Sequence, residues 1–151
     1  MAAVLGVVPL LYIAWLLSWF GTFAGTCTGA DPKSLGAGMF YSAAFYAGGI
    51  LCLLCRKLNT EGFLCALPLI VLLIWQAIWS FELFTVVFLE GHSACTFMMG
   101  SYFGEARGGQ EYIYVFYYVG VSVASLMAIG LSHFRYRRSQ DAPVTASGRD
   151  K

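Results

Sequence analysis

From Ala3 to Ala24 the chain runs without a single charged residue. A helix needs roughly 20 such residues to cross the hydrocarbon core of a bilayer. Three more stretches of this kind follow: about Leu35 to Cys55, also uncharged; about Phe63 to Leu89, apolar apart from Gln76, Glu82 and a few hydroxyls; and about Tyr112 to Ser132. The runs are continuous rather than alternating, which selects helices over barrel strands, because backbone groups in lipid must find partners within the segment. Short connections then impose an up-down antiparallel order. The expected fold is an all-α membrane protein, a four-helix transmembrane bundle over residues 1–138 followed by a polar tail, 139–151, expected to be disordered.

Composition agrees. Of 151 residues, 59% are hydrophobic and 11% charged, against about a quarter charged in a soluble domain, and one core of this size cannot hide so much apolar surface. The net charge of +1, with no long basic run, argues against nucleic acid as a partner. The first stretch is expected to remain as a span rather than a cleaved leader. It lacks a positively charged start, its apolar run is too long, and Phe23-Ala24-Gly25-Thr26 is a loose cleavage match.

Basic residues set the expected orientation. Arg56 and Lys57 separate spans two and three, and Arg135, Arg137 and Arg138 follow span four. The other loops carry Lys33 and Arg107 beside Asp31, Glu90, Glu105 and Glu111. Both termini are therefore expected in the cytoplasm, in a plasma membrane or endomembrane.

The cysteines divide along the same line. Cys27 and Cys95 fall on the expected outer side, where an oxidising compartment would pair them. Cys52, Cys55 and Cys65 fall at the cytoplasmic edge, as small apolar packing residues or candidates for palmitoylation. Cys52-Leu53-Leu54-Cys55 also spells C-x-x-C. In size and in that motif the chain is similar to two sets of four-helix membrane oxidoreductases, the vitamin K epoxide reductases and the bacterial disulfide-bond oxidases. Both place the motif and two further cysteines on the oxidising side. Here the motif falls on the reducing side, and each outer loop has one cysteine. A thiol oxidoreductase is thus a lesser alternative.

Glu82 is the ionisable residue well inside a span, about 10 Å below the outer boundary at 1.5 Å per residue from Leu89. A charge at such depth costs at least about 2.5 kcal/mol, so the group must be protonated or partnered. The expectation is a neutral carboxyl bonded to a tyrosine across the bundle, Tyr114, Tyr117 or Tyr118, or Tyr41 or Tyr46. The functional alternatives are a cation or proton site in a channel or transporter subunit, and a docking point for a partner's helix. Gln76 is about 240° away around the helix at 100° per residue, which argues against a polar pore lining. His92 and His133 fall at opposite ends, and no metal, cofactor or nucleophile motif accompanies them. No catalytic, cofactor or metal role is expected.

Small residues mark packing surfaces: Gly21 with Gly25, Ala44 with Gly48, and the ladder Gly120, Ala124, Ala128. By default these are contacts between helices of the bundle, and any of them could instead meet a partner. Trp15 with Trp19, and Trp75 with Trp79, form double indole faces, and the rings of Tyr112 to Tyr118 suit an interface belt. The longest loop, about Glu90 to Glu111, carries Phe97, Met98, Met99, Tyr102 and Phe103 among glycines. It reads as a flexible apolar segment for recognition. In plan the chain resembles tetraspan proteins of the MARVEL and claudin-like kind, without the Trp-Gly-Leu-Trp motif or paired first-loop cysteines. The expected role is non-enzymatic, through helix packing and the outer loop, as a scaffold, trafficking or junction protein or accessory subunit. Its expected partners are the lipid bilayer and other membrane proteins or further copies of itself.

Overall fold

The computed structural model describes residues 2–27, 32–55, 60–102, 104–106 and 109–141, without the side chains of residues 2–6, 60 and 141. Helix α1 is Ala2–Cys27, α2 is Pro32–Cys55 and α3 is Thr60–Phe84, continued by a π-helical turn, Thr85–Leu89. A short α4, Ala94–Met99, caps the connection to α5, Gly109–Asp141. Among the described residues four helices, α1, α2, α3 with its π turn, and α5, are long and apolar enough to cross a membrane. This is the all-α, four-span architecture of a multi-pass membrane protein. The tail beyond Asp141, the basic residues Arg56, Lys57 and Arg107, and Phe103 lie outside the described residues.

Helix α5 extends well past the apolar run at both ends. Lipid dictates only the apolar part. Good helix formers such as Gln110, Glu111, Arg135, Arg137 and Arg138 carry the helix on, so residues 139–141, expected in the tail, are still helical.

Helices α1 and α2 lie closest. A Cβ at Gly21 would fall 2.7 Å from the backbone nitrogen of Gly38, and one at Gly25 the same distance from Leu35. The Gly21/Gly25 pair is therefore an internal contact, as small residues permit. Helix α3 packs on α5, α2 also packs on α5, and α1 meets α3 only sparsely. The order around the bundle is α1, α2, α5, α3, with the loosest seam between α3 and α1. The α5 ladder departs from expectation. Gly120 and Ala124 are exposed and a Cβ at Gly120 would touch nothing, while Ala128 is buried.

The bundle is apolar outside and partly polar inside. Its surface displays Leu10, Phe20, Phe40, Val71, Ile113 and Met127, whereas Ser18, Thr22, Ser42, Gln76, Ser80 and Ser122 are buried beside Phe45, Leu73 and Val115. A water-soluble bundle would reverse this distribution. Both described chain ends lie at the same end of the bundle. There Arg135 Nη1 donates to the Leu54 carbonyl at 3.1 Å, completing the C-terminus of α2, and Tyr136 stacks on Phe63.

Candidate functional site

The interior polar groups form short hydrogen-bonded chains between helices. The Tyr118 hydroxyl meets Ser18 Oγ at 2.9 Å and Thr22 Oγ1 at 3.2 Å, joining α5 to α1. Tyr46 of α2 meets Ser122 Oγ of α5 at 3.1 Å, Ser122 donates to Ser80 of α3 at 2.9 Å, and Ser80 donates to the Gln76 carbonyl. The Tyr117 hydroxyl donates to the Met39 carbonyl at 2.9 Å. Trp15 Nε1 donates to Gln76 Oε1. Tyr114, fully buried, has a hydroxyl with no hydrogen-bond partner among the described residues. Buried groups of this kind favour one register of the helices, since other registers would strand them in hydrocarbon.

Glu82 does not join this network. It is exposed on the outer face of α3, while Gln76, Ser80, Leu83 and Val87 form the inner face of the span. Tyr114 and Tyr118 are buried inside, Tyr117 bonds to α2, and no described residue bonds the Glu82 carboxyl. The expected carboxyl–tyrosine bond is thus absent. The depth of Glu82 follows from the sequence, but its rotation about the helix places it one residue round from the inward-facing Leu83. Beyond Glu82, Thr85 Oγ1 donates to the Glu82 backbone carbonyl at 2.7 Å as the helix widens into its π turn. Such turns are frequent at functional sites.

At the other end from the chain termini, a disulfide joins Cys27 to Cys95, tying α1 to α4. The described part of the loop it holds is built from a short helix and hydrogen-bonded turns. Ser93 N donates to the Gly104 carbonyl and Ala106 N to the Gly91 carbonyl, both at 3.0 Å. Ser93 caps the start of α4 through the Thr96 amide, and Gly100 ends it at φ 64°, a left-handed conformation that favours glycine. Of the expected recognition residues, Phe97 turns inward onto Trp79, with ring centroids 5.2 Å apart, and Met98 is half-buried. Met99 and Tyr102 are exposed, Tyr102 lying edge-on to His92. Sequence reasoning missed Glu111. It is buried, and its carboxylate accepts from the Ala94 amide at 3.4 Å, linking α5 to the start of α4. An acid in the first turn of α5, where a helix N-terminus favours negative charge, was the available signal.

Cys52, Cys55 and Cys65 are free thiols near the end of α2 and the start of α3, Cys55 exposed and the others half-buried. Among the described residues no group of three His, Cys, Asp or Glu is placed to hold a metal. Between α1 and α3, at the end nearer the termini, lies an open cleft of about 850 Å³. Pro9, Leu11 and Trp15 line one side, and Leu67, Pro68 and Trp75 the other.

No protein-family model, no curated protein and no solved structure matches the chain.

Proposed function

We propose that the protein is a non-enzymatic tetraspan that serves as an accessory subunit or scaffold, packing against the helix of another membrane protein. The observation that carries this reading is Glu82 on the outward face of α3. Ile78, Glu82, Thr85 and Leu89 are all exposed there, spaced alternately by four and three residues, as along a helix-pairing seam. Left to lipid, the charged carboxylate costs at least about 2.5 kcal/mol. Its Cα–Cβ bond tilts toward the start of α3 and so away from the nearer boundary, which opposes escape to the interface. A partner helix bearing Lys, Arg or a hydroxyl at that depth removes the penalty and fixes its own register.

The pinned loop supplies a second contact beyond the bilayer through Met99 and Tyr102. The Arg135, Arg137 and Arg138 cluster favours a cytoplasmic location for the end bearing both termini, where Cys55 is accessible to acylation. Transport along the bundle axis gains no support from a carboxyl that faces away from the interior. A photocrosslinker at Ile78 in native membranes is expected to give one discrete protein adduct, abolished by Glu82→Leu while the Cys27–Cys95 bond still forms. Adducts with lipid alone, or a protein adduct indifferent to Glu82, would overturn the reading.

A further inference from the structure

We propose that the cleft between α1 and α3 holds one acyl chain of a membrane lipid from the leaflet at the termini end. This site is separate from the outward face around Glu82 and stands without it. The cleft follows from how the bundle is tied. The Cys27–Cys95 bond holds α1 at one end, and the Trp15–Gln76 bond, at 2.8 Å, joins α1 to α3 at mid-height. On the side toward the termini, the two helices stand apart across the cleft between Pro9 and Pro68.

The lining selects the occupant. Val8, Pro9, Leu11, Leu67, Leu69 and Leu72 present only carbon, and the Trp15 indole N–H is already bound to Gln76. Water needs two to four polar partners to occupy such a space, and the lining offers little beyond the Tyr12 hydroxyl. An unfilled cleft would leave the lining atoms without contacts on one side. Its volume of about 850 Å³ lies within the range of small-molecule sites, about 300–1,000 Å³.

Length separates a lipid chain from a partner helix. Val8 to Trp15 and Leu67 to Trp75 each span about 10–12 Å along the axis at 1.5 Å per residue, whereas a crossing helix needs about 30 Å. A cleft closed at mid-height suits a flexible chain entering from one leaflet. Both lining segments run from the first halves of α1 and α3 up to their middles, and so lie toward the termini end.

The test uses the full chain in phosphatidylcholine vesicles containing a fraction of phosphatidylcholine with a diazirine on its acyl chain. After photolysis, labelled residues are mapped by mass spectrometry. Labelling is expected to concentrate on Val8–Trp15 and Leu67–Trp75 over Leu51 and Met127, which are exposed on other faces toward the same end. Filling the cleft with Val8→Trp or Leu72→Trp is expected to abolish the cleft labelling and leave Leu51 and Met127 labelled as before. Formation of the Cys27–Cys95 bond reports that each variant has folded. If neither variant folds, the distribution on the unaltered chain decides by itself. Even labelling of all exposed faces, or labelling indifferent to filling, would overturn the proposal.

Discussion

The indole nitrogen of Trp15 and the side-chain oxygen of Gln76 are 2.8 Å apart, across the seam where α1 and α3 otherwise meet least. Interhelical hydrogen bonds in membranes contribute about 0.6 kcal/mol on average and up to about 1.7. Trp15→Phe and Gln76→Leu are each expected to destabilise the bundle. The double variant should lose less than the sum, by a coupling in that range, measured as a double-mutant cycle of unfolding in mixed detergent. Strict additivity would show that the contact contributes nothing.

Gly38 and Gly120 should respond oppositely to one added methyl group. A Cβ at Gly38 would lie 2.7 Å from the Thr22 backbone nitrogen, while one at Gly120 meets open space. Gly38→Ala must push α1 from α2 and is expected to cost about 1–3 kcal/mol, as overpacking does. Gly120→Ala is expected to stay within about 0.5 kcal/mol. Thermal aggregation midpoints of the two variants in one detergent compare them directly.

Tyr114 and Tyr118 stack edge to face with centroids 4.7 Å apart, yet only Tyr118 has hydroxyl partners in Ser18 and Thr22. Tyr118→Phe is expected to destabilise by about 1 kcal/mol. Tyr114→Phe removes a buried hydroxyl that makes no well-formed hydrogen bond among the described residues and is expected to be neutral or stabilising. Equal losses in the same unfolding assay would mean that Tyr114 has an additional partner.

The disulfide closes a sequence separation of 68 residues. For a soluble chain, loop entropy alone would make this about 4 kcal/mol. A chain whose spans stay inserted has less freedom to lose, so Cys27→Ser with Cys95→Ser is expected to cost less than that. The same variant should expose Met98 and Phe97 as α4 loosens, read as faster protease cleavage between residues 90 and 106. Unchanged cleavage would show that the Ser93 cap, the Gly91–Ala106 bond and Glu111 suffice to hold the loop.

The four spans and the Cys27–Cys95 pair were legible because lipid constrains them directly, through run length and through the side of the membrane. Which face of each helix points inward was harder to read. With apolar residues all round, no amphipathic stripe orients α3, so Glu82 was matched to tyrosines it does not meet. The inward faces nevertheless carry a mark. Ser18, Thr22 and Thr26 on α1, and Gln76 and Ser80 on α3, recur every four residues, and all are buried. The loop's glycines suggest flexibility, and the structure gives three of them a definite place: Gly91, Gly100 and Gly104 take positive φ values of 70°, 64° and 104°. Glycine adopts such angles where the chain turns tightly.

The pairing of α1 with α2 through Gly21, Gly25 and Gly38 has a consequence for the order of assembly. These two helices adjoin in sequence and meet through their own backbones, so the first hairpin can close while the rest of the chain is still being made, as N-terminal units generally do. Its hydroxyls at Ser18, Thr22 and Tyr46 then wait for Tyr118 and Ser122 of α5, which are synthesised later. Until α5 arrives, the nascent hairpin carries a stripe of unmet polar groups facing lipid, which keeps it receptive to the second pair and to nothing purely apolar.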